Sequence, residues 1–204
     1  MTFSNREDAG QKLGRFLAQQ NLLADLVLGL PRGGVVVAAQ VAKILQCPLS
    51  VVVVRKIGHP YNREFAVGAL TEHGQALDPA SIQGLDTAEL DAIIAEERER
   101  LAQYAKKFQR ADHSPLSAKK ILIVDDGLAT GATAEAAVNE ARILGAAQVI
   151  LAVPVASTNA VERLSRVADL VIALEVDPGF MAVGQYYRSF TQTTDEEVKR
   201  LLDL

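Results

Sequence analysis

Short, mostly apolar runs punctuate the chain at 26–30, 49–54, 120–124, 149–155 and 170–176. They are continuous rather than alternating, the pattern of parallel strands covered on both faces. Between them, apolar residues recur at three- and four-residue spacing and predict helices over 34–45, 87–110, 133–144 and 159–167. The longest of these has Asp86 as N-cap and Glu89 three residues later, as in a capping box. Its stretch AEERERLAQYAKKFQR sets opposite charges at helical spacing and reads as a solvated face. Strands alternating with helices in this way predict an α/β fold, doubly wound around a mainly parallel sheet.

Two segments break the alternation. Residues 57–78 hold Gly58, His59, Pro60, Gly68 and Gly74 between a strand and the long helix, and read as a flexible loop or hairpin. The stretch DPGFMAVGQYYRSFTQTTDEEV gathers aromatics after the last strand.

Composition adds limits. A chain of 204 residues that is 49% hydrophobic and 23% charged suits a single compact domain over 1–204. The net charge of −4, with lysines and arginines scattered, argues against nucleic acid as a partner. Cys47 is alone, so it reads as a small buried hydrophobe. His59, His73 and His113 lack the spacing of a zinc site. No apolar run reaches the roughly 18 residues of a membrane span, and the stretch MTFSNREDAGQKLGRF has no apolar signal core. The expected location is the cytoplasm, with no membrane partner.

The chemistry concentrates in ILIVDDGLATGATAEAAV, residues 121–138. Four β-formers run into Asp125 and Asp126, then a turn of small residues, then a helix. In an open α/β sheet, ligands bind beyond the carboxyl ends of the strands, where these acids would stand. The turn Ala129, Thr130, Gly131, Ala132 and Thr133 has little side-chain bulk, so its amides can approach an anion, and the helix start adds its unpaired N–H groups. Two carboxylates repel a bare phosphate but suit a ligand that also offers hydroxyls or a bridging cation, such as a sugar phosphate. A P-loop reading fails because no lysine follows Gly131, and a dinucleotide fold lacks its glycine fingerprint. A phosphorelay receiver would carry its acid pair near the start of the domain, whereas two βα units precede it here.

ILIVDDGLATGAT resembles the signature that binds phosphoribosyl pyrophosphate (PRPP) in type I phosphoribosyltransferases. It departs at Gly127, where the family generally has a branched apolar residue; that change is expected to alter strand-end flexibility more than ligand contacts. The resemblance implies that Asp125 and Asp126 hold the ribose hydroxyls and that residues 129–133 hold the 5-phosphate. It further implies that Arg32, Gly33 and Gly34 of LGLPRGGVVVA form a pyrophosphate loop, often with a cis peptide, and that Arg55 and Lys56 stand at the same edge, Lys56 being the catalytic cation. Residues 57–78 correspond to the loop that closes over the site, with His59, Arg63, Glu64 and Glu72 as polar candidates. Residues 1–20 and 177–204 correspond to a hood, with Phe180 and Tyr186, then Tyr187, as candidates to stack on a base.

The implied reaction transfers the phosphoribosyl group from PRPP to a nitrogen of an acceptor, with Mg²⁺ held through PRPP rather than by direct protein ligands. The implied assembly is a homodimer. Ala129 stands where 6-oxopurine enzymes commonly have an aspartate, which counts against hypoxanthine or guanine. The acceptor itself is not legible. A PRPP or nucleotide sensor without turnover, and a phosphoribosyl hydrolase, remain the competing expectations.

Overall fold

The computed structural model describes residues 2–108 and 116–202. The expected helix end at Arg110, and His113, lie outside the described residues, as does the side chain of Glu64. In chain order the elements are α1 (Arg6–Gln19), β1 (Leu26–Gly29), α2 (Gly33–Leu45), β2 (Leu49–Val51), β3 (Arg55–His59), β4 (Asn62–Leu70), β5 (Gln75–Leu77) and α3 (Thr87–Ala105). There follow β6 (Lys120–Val124), α4 (Ala132–Ile143), β7 (Gln148–Ser157), α5 (Thr158–Leu164), β8 (Leu170–Asp177), a 3₁₀ turn (Val183–Tyr186) and α6 (Asp195–Leu202). Among the described residues no helix is long and apolar enough to cross a membrane.

Five strands form a parallel sheet in the order β2-β1-β6-β7-β8. Because successive side chains of a strand point to opposite faces, the continuous apolar runs divide cleanly. Ile121, Ile123, Val149, Leu151 and Val153 pack with Ala137 and Ala141 of α4 and with Ala160 and Leu164 of α5. Leu122, Val124, Ile150 and Ala152 pack with Leu13 and Leu17 of α1 and with Val37 and Val41 of α2. Helices therefore cover both faces, as the apolar pattern requires.

The segment expected as a loop or hairpin is an antiparallel sheet of order β3-β4-β5. Its apolar side, Ile57, Val67 and Leu70, joins Leu90, Ile93 and Leu101 of α3 and Val198 and Leu202 of α6 in a second core. The run at 49–54 is consequently split: Leu49 to Val51 pair with β1, and Arg55 begins the second sheet. The turn after β4 is anchored to α4, where the buried Glu140 accepts from Thr71 Oγ1 at 2.7 Å and meets His73 Nδ1 at 2.5 Å.

Of the two segments expected to form a hood, residues 2–5 do join the C-terminal stretch. Phe3 N–H donates to Tyr186 O at 2.7 Å, and Arg188 N–H donates to Phe3 O at 2.8 Å. Residues 6–19 form α1, which lies along α2 and also meets the C-terminal stretch through Arg6 and Ala9.

Candidate active site

The strand β6 delivers its acids to the carboxyl edge by simple continuation. Ile121 through Val124 are fully buried, and the next two residues are Asp125 and Asp126. Asp125 Oδ1 accepts from the Asp126 N–H at 2.8 Å. Burial, reinforced by the charge of Asp126, pushes the Asp125 carboxyl well above its ordinary range. Burial also raises Asp126, but Arg6 opposes it: Arg6 Nε stands 2.6 Å from Asp126 Oδ2, and both side chains are nearly enclosed, at 13% and 14% exposure.

The turn after β1 closes on these acids from the neighbouring strand. Leu30 N–H donates to Val124 O at 3.1 Å, which ties the two strand ends together. The peptide between Pro31 and Arg32 is cis. A Cβ on Gly34 would sit 2.6 Å from Asp125 Oδ1, and one on Gly33 would run into Asp126 Oδ2 and stand 2.5 Å from Arg6 Nε. The two glycines thus let the backbone lie directly against the carboxylates, which any side chain would prevent.

Beyond Asp126 the chain keeps pace with the end of β7. Leu128 N–H donates to Val155 O and Leu128 O accepts from Ser157 N–H, each at 2.9 Å. Ser157 Oγ donates to Ala129 O at 2.6 Å, fixing the start of the small-residue turn. Gly131 then adopts φ +77°, a left-handed conformation in which it caps α4 with no side-chain bond. Ala132 N–H meets Thr130 Oγ1 at 3.5 Å, and Thr130 and Thr133 are both exposed. A turn of N–H groups and hydroxyls at the positive end of a helix is suited to receive an anion. Gly127 has a local reason as well: a Cβ there would stand 2.7 Å from Val183 Cγ1 of the 3₁₀ turn. The departure from the family pattern is thus a seat for the C-terminal stretch.

The cations are placed less simply. Arg32 Nη1 lies 3.7 Å from Asp195 Oδ1 of α6, and Asp195 is held by Lys107 at 2.8 Å. Arg55 donates to Glu97 of α3 through Nε and Nη2, at 2.9 and 2.7 Å. Lys56 is exposed on β3 and lines a cavity of about 550 Å³ with Arg55, Arg63, Glu96, Glu97 and Arg100. The 31–34 turn thus lies against the acids, whereas Arg55 is engaged on α3.

The C-terminal aromatics form one cluster. Phe180 is half-buried and stacks on Tyr186 with ring centroids 5.3 Å apart, while Tyr186 is buried and donates its hydroxyl to Asp177 Oδ2 at 2.6 Å. Tyr187 donates to the main-chain oxygen of Asp126 at 2.5 Å, and burial with the neighbouring acid charge pushes its hydroxyl up. Arg6, Ser157 and Asp195 belong to the site and escape the sequence reading. For Arg6 a signal does exist: a cation in the first turn of a helix opposes the helix dipole and calls for a partner.

Among the described residues no three His, Cys, Asp or Glu side chains gather as a metal cage. Two carboxylates are too few to cage a Mg²⁺, so an ion held through the oxygens of a ligand and water would have Asp125 and Asp126 nearby rather than as direct ligands.

Comparison with known proteins identifies the family. A family model for the phosphoribosyl transferase domain matches residues 5–179. A Mycobacterium tuberculosis H37Rv protein named "putative phosphoribosyl transferase" is 48% identical over 205 residues, covering 98% of this chain and 46% of that protein. The chain thus spans about half the length of the curated relatives it matches. The crystal structure of TT1426 from Thermus thermophilus aligns with a TM-score of 0.86 at 44% identity, over 99% of this chain and 98% of that one. The AQ2163 protein from Aquifex aeolicus, at 12% identity, TM-score 0.51 and coverage of 84% and 74%, shares the fold. The chain belongs to the phosphoribosyl transferase domain family, the family that its strand-end motif resembles.

Proposed function

We propose that this protein binds PRPP with Mg²⁺ and transfers the 5-phosphoribosyl group to a nitrogen of a small acceptor, a nucleobase or similar ring, releasing pyrophosphate. The observation that carries the reading is the acid pair Asp125–Asp126 at the end of β6, immediately followed by the amide-lined turn 129–133 at the start of α4. A sugar phosphate is the ligand that uses both at once.

In this reading Ala129, Thr130, Gly131, Ala132 and Thr133 take the 5-phosphate, and the two acids accept from the ribose hydroxyls. The outward amides and Arg32, Gly33 and Gly34 of the 31–34 turn take the pyrophosphate, with Arg55 and Lys56 approaching from β3. The acceptor nitrogen attacks the anomeric carbon as the bond to pyrophosphate breaks, through an oxocarbenium-like state. Negative charge grows on the leaving group, where preorganised cations and amides stabilise it most. Positive charge grows on the ring beside Asp125 and Asp126. Bound Mg²⁺ would supply further charge neutralisation on the diphosphate. Phe180, backed by Tyr186, offers a face for the acceptor ring, and the β3–β4 hairpin would exclude water on closing. A homodimer and a cytoplasmic setting complete the proposal.

The test is a scan of nucleobases with PRPP and Mg²⁺ that follows pyrophosphate release. Release that depends on one acceptor supports transfer. Binding of PRPP without release under any acceptor favours a sensor, and release that needs no acceptor favours a hydrolase.

A further inference from the structure

Arg6 is the first residue of α1, and its first-turn neighbours Glu7 and Asp8 are the acids that a helix N-terminus prefers. The guanidinium nevertheless turns inward and makes three different contacts. Nε pairs with Asp126 Oδ2 at 2.6 Å, Nη1 donates to Thr191 O at 2.7 Å, and the guanidinium carbon lies 3.8 Å from the centre of the Phe190 ring. A planar fork can donate along its edge while its face lies on a ring; a lysine ammonium has three donors but no such face. Phe190 in turn packs on Tyr187 at 5.1 Å, and Tyr187 bonds the main-chain oxygen of the same Asp126. The C-terminal segment therefore grips Asp126 twice, through its backbone directly and through its carboxylate by way of Arg6.

We propose that Arg6 is a positioning residue that couples Asp126 to residues 187–191, so that a ligand engaging Asp126 changes the stability of the C-terminal segment. The coupling has a chemical route. A carboxylate has about four lone-pair positions, and Arg6 takes one on Oδ2, which leaves room for ligand hydroxyls on the same group. Ligand hydroxyls on those free positions hold the carboxylate in place for Arg6, and Arg6 carries that order to Thr191 and Phe190. Gly33 packs over the ion pair, so the 31–34 turn senses the same event. The ion pair stands on the structure alone, whereas the identity of the ligand rests on the proposed function.

The amides of Arg188 and Ser189 report the outcome, because they donate to Phe3 O and Ser4 O at 2.8 and 3.0 Å and their hydrogen exchange measures opening of this segment. In the ligand-free full chain, Asp126→Asn and Arg6→Gln are each expected to speed exchange there by about five- to tenfold, with little change in the core amides of β6 and β7. PRPP with Mg²⁺ is expected to slow exchange at 187–191 in the wild type and not in Arg6→Gln. If Arg6→Gln does not fold, Arg6→Lys replaces it; it keeps a charge for Asp126 but loses the fork, and at saturating PRPP is expected to lose most of the slowing. Unchanged exchange at 188 and 189 in Asp126→Asn would overturn the coupling, as would a full PRPP response in the Arg6 variant. If PRPP does not bind the wild type at all, the proposed function fails, and the ligand-free comparison still decides the role of Arg6.

Discussion

Two strand-to-helix turns meet at the carboxyl edge of the sheet, and they are built on opposite principles. The turn after β1, residues 30–34, has one cation and two glycines, and it works by bringing bare backbone against its neighbour. The turn after β6, residues 125–133, has two acids followed by an open amide bowl. Neither suffices for a sugar diphosphate ester. In the proposed function, one provides for an anionic leaving group and the other for a hydroxylated ring with its own phosphate. The acids also cost the fold something that the glycine turn does not, since both carboxyls are raised by burial.

The largest expected effect comes from removing that charge. Asp125→Asn is expected to lower pyrophosphate release by about a thousandfold, the scale of lost electrostatic stabilisation in a closed site. The same variant should be the more stable protein at neutral pH. An acid whose folded pKa is raised destabilises the fold when ionised, so this cost is absent below the ordinary aspartate value of 3.8 and grows as pH rises through the raised folded value. Thermal melts of the two proteins should accordingly diverge with rising pH and converge near pH 3.8. A wild type that melts higher than the variant at pH 7 would contradict the account.

Next comes the glycine turn. Gly33→Ala puts a methyl into the Arg6–Asp126 pair, and chemical denaturation is expected to show a loss of about 1–3 kcal/mol, with turnover falling further than stability alone explains. Gly131→Ala attacks the other turn, at a φ of +77° and 2.9 Å from Leu164 Cδ1. A cost of about 1–2 kcal/mol is expected, with weaker binding of ribose 5-phosphate as the readout that separates the bowl from the fold. The smallest effect belongs to Ser157→Ala, which frees Ala129 O and should cost about 1 kcal/mol with a modest rise in KM for PRPP.

Much of this molecule is legible in one dimension. The buried runs of β6 and β7 are continuous because both faces are covered, and the acid–turn–helix motif is local, so spacing alone exposes it. What lies hidden is of two kinds. α1 is obscured by Gly10 and Gly14, which lower helix propensity yet are the points where it touches α2: a Cβ on Gly10 would meet Val37 O at 2.7 Å and one on Gly14 would meet Ile44 Cδ1 at 2.8 Å. Residues 49–54 read as one strand because the break before Arg55 is decided by the pairing of β3 with β4, a tertiary choice. The partners of the site are hidden by distance along the chain. Arg6 stands 120 residues from Asp126, and Arg55 finds Glu97 across 42 residues. The anion bowl is visible in sequence because it is built from neighbours, while the control of its acids is not.

The most direct test is a crystal of the protein grown with PRPP and Mg²⁺. The account requires the 5-phosphate in the turn 129–133, the ribose hydroxyls on Asp125 and Asp126, and the diphosphate toward residues 31–34. Density for the phosphate anywhere else, with Asp126 still turned wholly to Arg6, would contradict it.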